Sequence, residues 1–215
     1  MYAKFWKRFF DFTLSLLALI VLSPILLILT VVGAIAMRGN PFFVQPRPGK
    51  KGKDGREKIF YLIKLRSMSN KRGTNGELLP DDQRLGRYGA FLRSTSLDEL
   101  PSLVNIILGQ LAIVGPRPLL VAYLPRYSAR QRRRHEVRPG LTGYAQAYGR
   151  NLLTWEEKFE KDVYYVDNLS FWLDVKIIFK TISVVLKREG ITSDTSVTME
   201  EFIGVEKEMK VINHE

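Results

Sequence analysis

The chain has 215 residues, with 33 Lys and Arg against 22 Asp and Glu, a net charge of +11 and no cysteine. The length suits one domain with its own core. The lack of cysteine excludes disulfides and thiolate metal centres. His135 and His214 are far apart and sit in no recognisable motif, so a His-based zinc site or a Ser-His-Asp triad has no support. Residues 1–37 carry +2 of the charge, which leaves +9 on the remainder. A body this basic faces an anionic partner: nucleic acid, anionic lipid or a phosphorylated substrate.

Residues 12–37 hold no charged side chain over 26 positions, and about 20 apolar residues suffice to cross a bilayer as a helix. The run is too long for a signal peptide, and no small-residue cleavage site closes it. Ser23 and Pro24 interrupt its middle. Proline removes an N–H and crowds the preceding turn, so a break is expected there, with the serine hydroxyl serving the freed carbonyl. Lys4, Lys7 and Arg8 precede the run, and Arg38, Arg47, Lys50, Lys51 and Lys53 follow it. Positive flanks mark the cytoplasmic side. A helix that bends at Ser23-Pro24 and returns keeps both flanks there; an ordinary kinked anchor is the alternative.

Beyond the run, strands are expected around residues 42–45 and 59–65, followed by a polar stretch over 67–84. A short helix is expected over 84–93, and another from Ser96 toward Leu108. Gly115-Pro116-Arg117-Pro118 reads as a stiff loop, residues 119–135 as a helix, and Pro139-Gly140-Leu141-Thr142-Gly143 as a turn. Two helices follow, over 155–165 and 170–187. The second is rich in Phe, Trp, Ile and Val, with Lys176, Lys180 and Lys187 alongside. It suits either an interfacial helix on anionic lipid or packing onto the core. The fold class expected is mainly α with a small β element (α+β). Its parts are a membrane helix-break-helix over 1–38, a catalytic domain over 39–188 and a polar, mobile tail over 189–215.

The stretch Arg93-Ser-Thr-Ser-Leu-Asp98-Glu99-Leu-Pro101 carries the chemistry. Ser96-x-x-Glu99 has capping-box spacing, which by itself only starts a helix. In that helix Asp98 would lie in the first turn, where free N–H groups and the dipole keep a carboxylate ionised. An ionised Asp can attack phosphorus. It needs cations beside it to approach a diphosphate, and Arg93 and Arg117 are candidates. A Mg²⁺ would neutralise further charge.

SLDELPSLVNIILGQLAIVGPRPLL, RHEVRPGLTGYAQAYGRN and WEEKFEKDVYYVDNLSFWLD, in that order, resemble the monotopic phosphoglycosyl transferases, or bacterial sugar transferases, over roughly residues 1–188. The resemblance is to the small single-domain branch. It implies that Asp98 attacks the β-phosphate of a UDP-sugar, releases UMP and holds the phosphosugar covalently until undecaprenyl phosphate takes it. It further implies Mg²⁺ at Asp98 and Glu99, and Lys64, Arg93, Arg117, Arg150 and Asp162 as phosphate- and substrate-binding positions. A re-entrant helix at the cytoplasmic face of the bacterial inner membrane follows, with membrane lipids as surroundings and downstream glycosyltransferases as partners. Tyr144 departs from the family, many members of which carry Trp there, and this bears on substrate preference. Two other classes were weighed. The basic run from Arg126 to Arg138 invites a membrane-anchored nucleic-acid binder, but no binding motif accompanies it, and nucleic acid is not expected as a partner. A non-catalytic scaffold is opposed by the ordered motifs.

Overall fold

In the computed structural model, residues 2–149, 153–187 and 201–204 are described. The fold is mainly helical with small β elements. A π-helical turn over Tyr2–Trp6 leads into α1, Lys7–Met37. The hairpin β1 (Phe42–Lys51) and β2 (Glu57–Leu65) follows, then α2 (Asp81–Arg84), α3 (Arg87–Thr95) and α4 (Ser102–Ile107). Strand β3 (Ala112–Val114) pairs in parallel with β4 (Gly140–Thr142). The helices α5 (Tyr144–Ala147), α6 (Trp155–Asp167) and α7 (Phe171–Leu186) complete the body.

Helix α1 runs through Pro24 without interruption, so the expected break is not a gap in the helix. Pro24 has no N–H for the Ile20 carbonyl four residues back. The Ser23 hydroxyl donates to that carbonyl instead, at 2.8 Å. The helix ends at Arg38, whose left-handed backbone (φ 50°) closes it.

One face of α1 lies on the domain along its length. Lys7 pairs with Asp174 of α7 at 2.7 Å, and Asp11 accepts from the Ile113 N–H of β3 at 3.0 Å. Ala18 and Leu19 pack against Phe60, Leu62, Leu103, Ile106 and Leu111. Further on, Leu29 is buried with Leu65 and Leu92, and its carbonyl accepts from Tyr88 Oη at 2.7 Å. The opposite face, including Leu17, Ile20, Val21 and Ile28, is exposed.

Four expected elements differ. The stretch over residues 139–143, expected as a turn, holds strand β4, because its backbone pairs with β3. The helix from Ser96 does not form: Ser96 is left-handed (φ 57°) and closes α3, Leu97–Glu99 is a 3₁₀ turn, and α4 begins at Ser102. The capping box is therefore absent. Pro101 has no N–H to continue the ladder of the preceding turn, and it suits the entry to α4. Residues 119–135 form two 3₁₀ segments, Val121–Arg126 and Gln131–Glu136, instead of one helix; Pro125 interrupts the ladder. The expected tail over 189–215 falls largely outside the described residues. Within it, residues 201–204 pack on the body, with Phe202 fully buried (0% exposed) among Tyr123, Tyr127, Trp155 and Phe159.

Helix α7 packs onto the core by one face and leaves its other apolar face exposed. Ile177 and Val184 are buried in the core, whereas Phe171, Trp172, Phe179 and Ile182 remain exposed, Trp172 by 70%. The exposed side joins an aromatic group at the start of α1, where Phe171 stacks near Tyr2 and Phe10. Aromatic rings in this arrangement suit a membrane interface.

Candidate active site

The site sits where β2, the Leu97–Glu99 turn and the loop after β3 meet. Asn105 of α4, fully buried, receives the Ile63 N–H on Oδ1 and donates to the Tyr61 carbonyl, at 3.0 and 2.8 Å. Ser102 Oγ donates to the Ile63 carbonyl at 2.8 Å. These bonds fix the end of β2 and with it Lys64. Gly115 and Gly140 let β3 and β4 cross closely: a Cβ on Gly140 would collide with the Gly115 and Thr142 backbones. The crossing aims Pro116-Arg117-Pro118 at the Asp98-Glu99 turn.

Glu99 Oε1 accepts from Lys64 Nζ at 2.5 Å and from Arg117 Nη2 at 2.8 Å. Burial opposes its ionisation, but Arg117 and Lys64 outweigh this and hold its pKa at about 2. Asp98 differs. Burial, and then the neighbouring Glu99 charge, raise its carboxyl above the ordinary range, against the pull of Lys64, Arg117 and Arg93. The expectation that a helix dipole holds Asp98 ionised is thus corrected: no helix of length starts there, and the cations do this work in part. Arg93 donates to Ser67 Oγ at 3.1 Å and to Met68 Sδ at 3.2 Å.

Lys64, Arg93, Asp98, Glu99 and Arg117 all face one cavity of about 800 Å³, within the size range of small-molecule sites. Its remaining wall is largely apolar, with Leu119, Leu120 and Leu141 near the charged end and Ile178, Ile182 and Val185 from α7. Asp162 also reaches this wall but is buried and committed to Arg134, which it contacts at 2.7 and 3.0 Å. Arg134 Nη2 in turn donates to the Arg117 carbonyl at 2.7 Å. Asp162 thus supports Arg117 from behind. Arg150 lies outside the described residues.

Sequence reasoning missed several residues at the cavity. Arg47 of β1 donates to the Pro118 carbonyl at 3.2 Å and to Gln45 Oε1 at 2.6 Å. Lys158 of α6 lies over the Trp155 ring, and burial, then Arg117, lower its amine to about 8. Tyr123 and Trp155 join the wall. Arg47 follows Phe43, the partner of Lys64, by four strand residues and so shares its face, a relation that only the hairpin register supplies. His135 is buried against Tyr127 with Nδ1 3.5 Å from Glu57 Oε1, outside the cavity wall.

Among the described residues no group of three or more His, Cys, Asp or Glu could hold a metal ion. Asp98 and Glu99 supply two carboxylates, and a diphosphate would add hard oxygens. That donor set suits Mg²⁺, which commonly uses one or two carboxylates with substrate phosphates.

The chain belongs to the bacterial sugar transferase family, whose profile matches residues 2–188. It is 48% identical over 198 residues to the uncharacterized sugar transferase EpsL of Bacillus subtilis, covering 92% of this chain and 96% of that protein. It is 36% identical over 186 residues to the UDP-glucose:undecaprenyl-phosphate glucose-1-phosphate transferase of Escherichia coli, covering 82% of this chain and 39% of that protein. With the undecaprenyl-phosphate galactose phosphotransferase of Salmonella typhimurium the identity is 35% over 206 residues, covering 87% and 42% respectively. The chain thus spans nearly all of EpsL and about two fifths of these larger relatives.

Proposed function

We propose that the protein transfers a sugar 1-phosphate from a UDP-sugar to undecaprenyl phosphate, through a covalent intermediate on Asp98. One observation carries the reading. Asp98 lines a cavity with Lys64, Arg93 and Arg117, and its neighbour Glu99 takes the close contacts of two of those cations. One carboxylate organises positive charge while the other is left to react. The names of the larger relatives support the donor and acceptor classes.

In the first step an Asp98 carboxylate oxygen bonds to the β-phosphorus. The bond from that phosphorus to the bridging oxygen breaks, and UMP leaves with the electron pair. In the second step an undecaprenyl phosphate oxygen attacks the same phosphorus and releases Asp98. The product is undecaprenyl diphosphate sugar. Arg117 and Lys64 offset the charge that accumulates on the phosphoryl oxygens, and Arg93 flanks the nucleophile. Mg²⁺ held by Asp98 and Glu99 would supply Lewis-acid neutralisation of the diphosphate. Asp162, through Arg134, keeps the Arg117 backbone in place.

The same reading puts the domain at the cytoplasmic face of the inner membrane, with α1 re-entrant. Both halves of α1 touch one globular body, as Lys7 and Asp11 do near its start and Leu29 near its end. A straight helix of this length would be about 46 Å long. Crossing the bilayer would carry one of those halves away from the body it packs on.

The test is UMP release before acceptor is added. The purified protein with a panel of UDP-sugars should release about one UMP per enzyme, the pattern of a ping-pong reaction. Mass spectrometry should find the phosphosugar on Asp98, and Asp98→Asn should fold yet release none. An adduct on another residue, or a first UMP that strictly requires acceptor, overturns the mechanism.

A further inference from the structure

The geometry points to Arg47 as the residue that binds the leaving phosphate of the nucleotide, the one that departs as UMP. This rests on the proposed phosphoglycosyl transfer and adds a residue whose part in it is separable from that of the Asp98 group.

Three observations place it. First, Arg47 lines the same cavity as Asp98 and Arg117. Second, its two described side-chain bonds go to neutral oxygens, the Pro118 carbonyl and Gln45 Oε1, and its Nε is buried with no hydrogen-bond partner among the described residues. No carboxylate lies within ion-pair distance of it among those residues. A part-buried guanidinium costs free energy unless an anion meets it, and guanidinium binds phosphate well. Lys64 and Arg117 already share Glu99, and Arg134 is taken by Asp162, so Arg47 is differently placed to receive a ligand's charge.

Third, Arg47 is held against the loop that carries Arg117. Arg117 reaches Glu99, while the next carbonyl in the chain, that of Pro118, is held by Arg47. The charges that act on Asp98 are those of Glu99, Lys64, Arg117 and Arg93. Burial lowers the Arg47 guanidinium to about 10, which leaves it charged at neutral pH. A phosphorus attacked by Asp98 would therefore sit among Lys64, Arg93 and Arg117, with the second phosphate of the diphosphate reaching toward Arg47.

The test separates donor from acceptor with Arg47→Gln and Arg47→Lys, each checked for an unchanged melting transition in detergent. For Arg47→Gln, kcat/KM for the UDP-sugar should fall ten- to a hundredfold and the inhibition constant for UMP should rise by a similar factor. Inhibition by uridine, which has no phosphate, should stay within about twofold, and kcat/KM for undecaprenyl phosphate should change less than threefold. Arg47→Lys should recover part of the UMP affinity. A merely structural role would move UMP and uridine together, and that result overturns the assignment. So does a loss confined to the acceptor, which would give Arg47 to the lipid phosphate. If Arg47→Gln does not fold, Arg47→Lys is read alone, and unchanged UMP inhibition in it together with a raised acceptor KM overturns the assignment. If the wild-type protein releases no UMP from any UDP-sugar, the reaction itself is refuted. UMP and uridine inhibition measured by binding then judges Arg47 separately.

Discussion

Asp98 and Glu99 are adjacent in the chain, yet they stand in opposite electrostatic positions. Glu99 receives Lys64 and Arg117 on one oxygen and is held at about 2, while Asp98 is raised by burial and by Glu99 itself. Pairs of acids pushed apart by their surroundings divide their roles.

The pH dependence of UMP release should show this division. A nucleophilic Asp98 works only ionised, and its pKa is raised, so the rate should fall as pH drops through a value above the ordinary Asp of about 3.9. Glu99→Gln removes a like charge and frees two cations to face Asp98. Both changes favour the carboxylate, so the acid limb of the residual activity should move to lower pH even as the maximum rate falls. A limb that stays in place or moves up would mean that Asp98 is not the group titrating.

The buried Arg134–Asp162 pair gives a stability prediction. Both side chains are nearly fully buried, at 2% and 5% exposure. Asp162→Asn strands a buried guanidinium and should cost about 3–5 kcal/mol, seen as a fall of roughly 10 °C in Tm for a chain of this size. Arg134→Met with Asp162→Leu should cost less than either single change, since no charge is left unpaired. In the double variant kcat should fall because the Arg117 carbonyl loses its Arg134 donor, and in Asp162→Asn it should fall less, since that donor stays but loses the carboxylate that anchors it. Calorimetry and steady-state kinetics on Asp162→Asn, the double variant and its two single changes check this.

Phe202→Ala should loosen the C-terminal segment without unfolding the domain. The ring is wedged among Tyr123, Tyr127, Trp155 and Phe159, and Arg126 donates to both the Phe202 carbonyl and Glu201. Core Phe→Ala changes cost about 3–5 kcal/mol, but here the segment can detach, which caps the loss. Limited proteolysis should cut near residue 200 faster, and KM for the UDP-sugar should rise, since Tyr123 and Trp155 line the cavity. Unchanged cleavage would show that the segment is not held by this ring.

Topology can be checked in a chain that lacks cysteine. Single cysteines near residues 4 and 40 should both be shielded from an impermeant thiol reagent in intact cells and both react after lysis. Labelling of the residue-4 cysteine in intact cells would mean that α1 spans, and the re-entrant reading would fall.

How much of this was legible in the sequence depended on distance along the chain. The uncharged run over residues 12–37, the Ser23 hydroxyl beside Pro24 and the strand ending at Leu65 are local signals, and each has its counterpart in the structure. The Ser96 capping box was equally local and misled, because the left-handed Ser96 closes α3 and α4 starts only at Ser102, after Pro101. Asp162 was noticed as an acidic position, but its commitment to Arg134 depends on a contact across 28 residues. The burial of Phe202 could not be read from a polar tail, since its pocket is built by residues 123, 127, 155 and 159. Arg47 looked like one more positive flank until the hairpin brought it beside Pro118.

The attachment of α1 along the domain has a consequence for how the protein can be made and studied. Leu29 shares a buried cluster with Leu65 and Leu92, Asp11 holds the β3 backbone, and Lys7 neutralises a buried Asp174. Removing residues 1–37 would strip one side of the core, orphan a strand N–H and leave Asp174 without its cation. A water-soluble catalytic fragment cannot be obtained by clipping off the anchor. With α1 in the membrane as proposed, acquiring the native structure and partitioning into lipid become a single coupled equilibrium, so the measured stability of this protein should vary with the bilayer or detergent that surrounds it.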